Sequence, residues 1–157
     1  MPTIIPCLWF DAQGEEAATF YTSVFPHSRI TEVTRYAQTG PGSGGAVMTV
    51  SFTLDGQDYV ALNGGPRFTF TEAISLQVHC DTQDEIDHYW SRLGEGGEES
   101  QCGWLKDRYG LSWQITPRLL LELNADPDRA RAGRAFAAML TMSKIDIAAI
   151  RRAADGG

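Results

Sequence analysis

Cysteine is scarce in this chain: three residues, Cys7, Cys80 and Cys102, with no CxxC spacing. An odd, widely spaced set excludes a disulfide scaffold and speaks against a zinc knuckle or a redox dithiol. Positive charge is also in deficit. Thirteen Lys and Arg face twenty Asp and Glu, a formal charge of −7. Nucleic acids and anionic membranes bind to positive surface, so neither is expected as a partner. No apolar run approaches the roughly 20 residues of a membrane span. The N-terminus carries no basic stretch ahead of a long apolar run. These absences predict a cytoplasmic protein.

What is present is an ordinary globular composition, 43% apolar over 157 residues, long enough to bury a core. The charge is split. Residues 118–157 carry a net +2 and residues 1–117 a net −9, which suggests a body and a differently built tail.

The body alternates apolar strands with amphipathic helices. Residues 4–10 read as a buried strand with Pro6 at an edge or bulge. Residues 13–25 read as a helix that buries Ala17, Ala18, Phe20, Tyr21, Val24 and Phe25 and stops at Pro26. Strands follow at 29–37, 46–54 and 57–62, with a hairpin signal at Asp55 and Gly56. The glycine-rich stretch at 39–45 reads as a mobile loop. A second round begins with a strand at 74–80 and a helix at 82–93 that buries Ile86, Tyr89, Trp90 and Leu93. Short strands at about 100–106 and 111–116 flank a turn at 107–110. One strand of this half is hard to see.

Residue matches support a repeat. Asp11, Gln13 and Glu15 recur as Asp81, Gln83 and Glu85, each set opening a helix, where Asp11 and Asp81 are expected to serve the free N–H groups. Two βαβββ modules side by side can form a curved sheet with helices outside and a cavity within. After Pro117 the pattern turns helical. One helix is expected to start at Asp126 and Pro127, carrying Ala130, Ala137, Met139 and Leu140. A second is expected near Ser143 and Asp146, with an Ile145, Ala149, Ile150, Ala153 stripe. Both must dock on the body or on a partner chain.

These residues carry a resemblance. The segments at 5–11, 61–66, 102–105, 107–114 and 144–149, with Glu16, Phe20 and Tyr21, resemble the PhnB-like family, often labelled demethylubiquinone methyltransferase. It belongs to the glyoxalase, bleomycin-resistance and dioxygenase (vicinal oxygen chelate) superfamily. The resemblance implies an α+β fold of paired βαβββ modules forming an open, cup-shaped mixed sheet with helices outside. It places the domain at 1–117, with halves of about 1–66 and 67–117, and a helical extension at 118–157. It also implies a homodimer.

The superfamily's metalloenzymes set His, Gln and Glu ligands on cup-facing strands. Counting back from the helix-opening Asp or the aromatic pair places the first-strand equivalents on Ile4 or Pro6 and on Ile74; the end of the fourth strand gives Leu62 or Asn63, and seven residues past Asp107 gives Gln114. Neither Ile nor Pro binds a metal, so no metal site is expected. A methyl transfer from S-adenosylmethionine usually needs a Gly-rich turn opening a helix. The run at 40–45 joins strands instead.

The strand phase that follows from this count puts Pro6, Leu8 and Phe10 inside the cup with Trp9 outside. It likewise puts Ser112 and Gln114 inside, with Trp113 and Ile115 toward the helices. Asn63 reads equally as cavity wall or as turn. Cys102 reads as core or as ligand contact, and His27, His79 and His88 as surface or structural residues. The ligand-binding candidates are therefore Leu8, Phe10, Asn63, Cys102, Ser112 and Gln114. The expected function is binding of a small, partly apolar molecule without a cofactor. The alternative is a lyase, isomerase or dioxygenase using a divalent metal, with a methyltransferase behind both.

Overall fold

A computed structural model describes residues 1–37 and 44–157, which form two compact units, Met1–Phe70 and Thr71–Gly157. Most of the glycine-rich stretch expected as a loop lies outside the described residues.

In the first unit, β1 (Cys7–Phe10) leads into α1 (Gly14–Val24), then β2 (Arg29–Arg35), β3 (Val47–Leu54) and β4 (Gln57–Asn63). The sheet order is β1-β4-β3-β2. β1 runs parallel to β4 and the other pairs are antiparallel. Pro6 sits just before the edge strand β1, where it needs no N–H, and its carbonyl accepts from Val60 N–H at 3.0 Å. Asp55 and Gly56 both take positive φ, 46° and 85°, as a two-residue hairpin requires. Val50, Phe52 and Leu54 alternate along β3 as buried residues, and Ala17, Ala18, Tyr21 and Val24 form the buried face of α1. The rings of Tyr21 and Phe52 meet at 6.3 Å between centroids. Each large side chain buried this way contributes about 1.5–3 kcal/mol.

The second unit repeats the plan. β5 (Ser75–Cys80), α2 (Gln83–Gly94), β6 (Glu98–Glu99), β7 (Trp104–Lys106) and β8 (Ser112–Pro117) give the order β5-β8-β7-β6. The first and last strands are again parallel. The strand hidden in the sequence is β6, two exposed glutamates with no apolar signal.

The helix starts correct the sequence reading. Neither Asp11 nor Asp81 caps a helix. Thr82 caps α2, accepting from Glu85 N–H at 3.2 Å while Glu85 accepts from Thr82 N–H at 3.1 Å, a closed capping box. The Asp81 carboxylate instead lies 3.4 Å from Arg118 Nε.

The tail forms three helices where two were expected: α3 (Arg118–Asn124), α4 (Arg129–Met139) and α5 (Ile147–Ala154). Asp128, one residue past Pro127, caps α4, and Asp146 caps α5. Asp126 accepts from Asp128 N–H and pairs with Arg131 at 2.9 Å. The buried face of α4 is Ala132 and Ala135.

The tail docks within its own unit. Cys102 N–H donates to Met142 C=O at 2.7 Å and Gly103 N–H to Ser143 C=O at 2.8 Å. Gln83 donates to Ile145 C=O at 3.0 Å and accepts from Ile147 N–H at 2.9 Å. Lys144 pairs with Asp87 at 2.8 Å, and Ile145, Ile150 and Ala154 are buried. Among the described residues no helix is long and apolar enough to cross a membrane.

Candidate functional site

In-register neighbours across a sheet share a face, so the pairings decide which way each side chain points. In the first unit Leu8 pairs with Ala61 and Phe10 with Asn63. A Cβ built on Gly14, the first residue of α1, would meet Ala61 Cβ at 3.3 Å and Asn63 Oδ1 at 2.7 Å. Leu8, Phe10, Ala61 and Asn63 therefore face α1, and Trp9 faces away. This reverses the expected phase of Leu8, Phe10 and Trp9. Leu8 and Phe10 are core residues at 4% and 3% exposure. Counting from Asp11 and Asp81 lands on the helix side of both first strands, and with a period of two a one-residue offset exchanges every side chain.

Asn63 also borders a hollow of about 430 Å³ with Tyr36 and Val47, but its amide is committed. Oδ1 accepts from Gly14 N–H at 2.7 Å and Nδ2 donates to Val47 C=O at 3.2 Å. Its carbonyl accepts from Tyr36 Oη at 2.6 Å. Asn63 is a structural residue, and it supplies the cap that Gln13 does not.

The second unit keeps the expected phase of β8. Trp113 and Ile115 are buried with Leu105 on the α2 side. The opposite face carries Ser75, Gln77 and His79 from β5, Ser112 and Gln114 from β8, and Trp104 and Lys106 from β7. A polar ladder crosses it. Gln114 donates to Ser75 Oγ at 2.8 Å and accepts from Gln77 at 3.4 Å, and Gln77 Oε1 lies 3.0 Å from His79 Nε2.

Beside this ladder lies a hollow of about 470 Å³. Trp104 supplies apolar wall, and Cys102, Glu98 and Glu99 also line it. Lys106 is held there by Glu72. Their hydrogen bond keeps the Glu72 carboxyl below its usual range and raises the Lys106 ammonium, so the pair stays ionised at neutral pH. Ser112 also lines the hollow. It is 1% exposed, and its hydroxyl has no hydrogen-bond partner. A buried hydroxyl without a partner costs about 1–3 kcal/mol.

Two structures hold this wall. The buried Asp107 carboxylate accepts from Tyr109 N–H, Leu111 N–H and Trp113 Nε1, at 2.9, 3.1 and 2.9 Å. The turn at 107–110 is thereby tied to the indole beneath β8. Cys102 and Gly103 both take positive φ, 61° and 83°. A Cβ on Gly103 would stand 2.8 Å from the Ile115 carbonyl, so only glycine fits under the tail there.

Of the six candidates, the structure brings Cys102 and Ser112 to one hollow and sets Gln114 on the same sheet face. It turns Leu8, Phe10 and Asn63 into the first unit's own packing. Glu72, Glu98 and Glu99 went unseen as site residues. The only signal was the acidic run at 95–99, carried by a strand too short to show periodicity.

The divalent metal that the sequence resemblance raises does not fit this donor set. The face bearing Ser112 offers one imidazole, His79, among hydroxyls and neutral amides, and the carboxylates beside it, Glu72 and Glu98, flank the Lys106 ammonium. Among the described residues no three His, Cys, Asp or Glu gather into a group that could hold a metal ion. Among the described residues, α1 and α2 each follow an Asp-containing turn and not the glycine-rich turn that usually opens an S-adenosylmethionine site.

A family model described as 3-demethylubiquinone-9 3-methyltransferase matches residues 2–116. The PhnB protein from Bacillus cereus is 39% identical, with a TM-score of 0.68 over 74% of this chain and 99% of that one. A Pseudomonas aeruginosa protein shares 17% identity at a TM-score of 0.63, over 74% and 98%. The fosfomycin resistance protein FosX from Listeria monocytogenes shares 12% at 0.50, over 74% and 93%, a likeness of fold. Among curated proteins none matches.

Proposed function

The chain belongs to the PhnB-like 3-demethylubiquinone-9 3-methyltransferase family, and we propose that it binds a small, partly apolar molecule in the hollow beside Ser112, without a resident metal. The observation that carries this reading is the buried Ser112 hydroxyl, unpartnered at the wall of a cavity. A group that costs stability when left unmet is accounted for if a ligand meets it. Trp104 supplies the apolar contact area that small-molecule sites use, with a few polar groups to fix orientation. The metal-dependent alternative would have one imidazole, His79, on this face, and the methyltransferase alternative would need a glycine-rich turn that opens neither α1 nor α2.

Indole is a suitable probe. In ¹H–¹⁵N NMR titrations it should shift the amides of Cys102, Trp104 and Ser112 saturably, and Trp104→Ala should weaken it about tenfold, or about 1.4 kcal/mol. An indole titration without saturable shifts at these amides overturns the reading. Stoichiometric metal in protein purified without chelating resin overturns its metal-free part. The same reading takes the protein as a homodimer, and a sedimentation mass of 17.3 kDa rather than twice that would refute it.

A further inference from the structure

Helix α4, beyond the residues 2–116 that the family model matches, turns an apolar stripe outward. Arg129, Gly133, Phe136 and Leu140 follow one another at helical spacing and all are exposed, Phe136 at 48% and Leu140 at 53%. Exposed Ala130 and Ala137 widen the stripe, and no acidic side chain interrupts it. A hollow of about 320 Å³ opens on it, lined by Asn124, Arg129, Ala132, Gly133 and Phe136. A Cβ on Gly133 would meet nothing within 4 Å among the described residues. The chain's own packing therefore does not call for glycine there, and glycine weakens a helix relative to alanine. The helix is also charged against its own dipole. Arg129 and Arg131 stand in its first turn and no cation stands in its last, although a cation is favoured at the C-terminal end. Arg131 is neutralised by Asp126 and Asp155. Arg129 donates to the carbonyls of Asn124 and Asp126 from Nη1.

We infer that this stripe docks on the same stripe of a second copy of the chain, the two α4 helices running antiparallel about a two-fold axis. One alignment satisfies both the shape and the charge. When Gly133 lies opposite the partner's Phe136, Arg129 lies opposite the partner's Leu140, because both pairs share one midpoint along the helix. Each Phe136 ring then enters the hollow at the other copy's Gly133. Each Arg129 reaches the C-terminal end of the other helix, where the dipole favours a cation. Such a contact is isologous and closes on itself. Projecting ring, hollow and charge are all supplied by one helix, which singles out a second copy over an unlike partner. The contact is independent of the ligand reading and of any pairing made through residues 1–117.

Sedimentation equilibrium of the full chain over a concentration series reaching about 1 mM tests this. At the top of the series wild type should show twice the mass that Gly133→Leu or Phe136→Asp shows at the same concentration. Leu at 133 blocks the hollow, yet its Cβ has open space and it is a better helix former than glycine. Its circular dichroism should therefore be retained and its melting temperature kept or raised, so lost association is not lost folding. Arg129→Glu should weaken association about tenfold, because a carboxylate then faces the C-terminal end of the partner helix. If wild type holds twice 17.3 kDa and neither Gly133→Leu nor Phe136→Asp changes that mass, this inference falls and the homodimer reading stands. A wild type that stays at 17.3 kDa throughout the series overturns both.

Discussion

The backbone N–H of Gly14 donates to the side-chain oxygen of Asn63 at 2.7 Å across 49 residues of sequence. The first residue of α1 thus finds its cap at the end of β4, while Gln13 beside it provides none. Asn63→Ala should destabilise the protein by about 2 kcal/mol, the sum of a lost cap and an unmet N–H. Gly14→Ala should also destabilise, by about 1–3 kcal/mol, because its Cβ would stand 2.7 Å from Asn63 Oδ1. At an ordinary helix position the same change gains stability. Urea denaturation of both variants checks the sign.

Ser112→Ala should behave unlike most buried polar deletions. The hydroxyl makes no hydrogen bond, so its removal should leave stability unchanged or raise it by up to about 1 kcal/mol. Calorimetry that shows a loss greater than about 1 kcal/mol would mean that the hydroxyl is already satisfied within the fold.

Asp107→Ala should be severe. It strands two backbone N–H groups and the Trp113 indole N–H in a buried turn. A loss of about 3 kcal/mol or more is expected, with Asp107→Asn recovering part of it by retaining one acceptor. Equilibrium unfolding of the pair gives the ranking.

The tail should respond to acid more than to salt. The Lys144 hydrogen bond, and then that of Gln83, holds the Asp87 carboxyl below its usual range. A depressed carboxyl contributes stability that is present above the unfolded value of about 3.9 and is lost as pH falls through the folded value. The exchange protection of α5, corrected for intrinsic rates, should therefore hold through pH 5 and decline below pH 4. In 1 M salt it should persist, because Ile145, Ile150 and Ala154 are buried and exposed ion pairs contribute little.

Alkylation should rank the thiols. Burial pushes the Cys80 thiol up to about 12, and the residue is fully buried. Cys7 is exposed and Cys102 partly so. Iodoacetamide near pH 8 should label Cys7 and Cys102 first and reach Cys80 only after unfolding, a ranking that peptide mass mapping reads directly.

Legibility followed periodicity. In β8 the count that put Ser112 and Gln114 on one face and Trp113 and Ile115 toward the helices agrees with the alternation of the strand, and that phase is the one in the structure. The run at 4–10 is apolar on both phases, so its register rested on a count, and Leu8 and Phe10 came out reversed. β6 had no apolar residue to mark it. The caps at Asp128 and Asp146 sit within three residues of the expected starts, the usual slack where several Asp and Ser compete for one end.

By itself the sequence determined the repeated βαβββ plan, the family and the helical tail, because hydrophobic period, turn residues and joined motifs act locally along the chain. Tertiary structure alone decided that Asn63 caps α1, that the tail docks on Cys102 and Gly103 of its own unit, and that Ser112 is left without a partner. Those outcomes depend on which residues meet across 30 to 60 positions of chain. Strand register sets such meetings, and a register shifted by one residue reverses them.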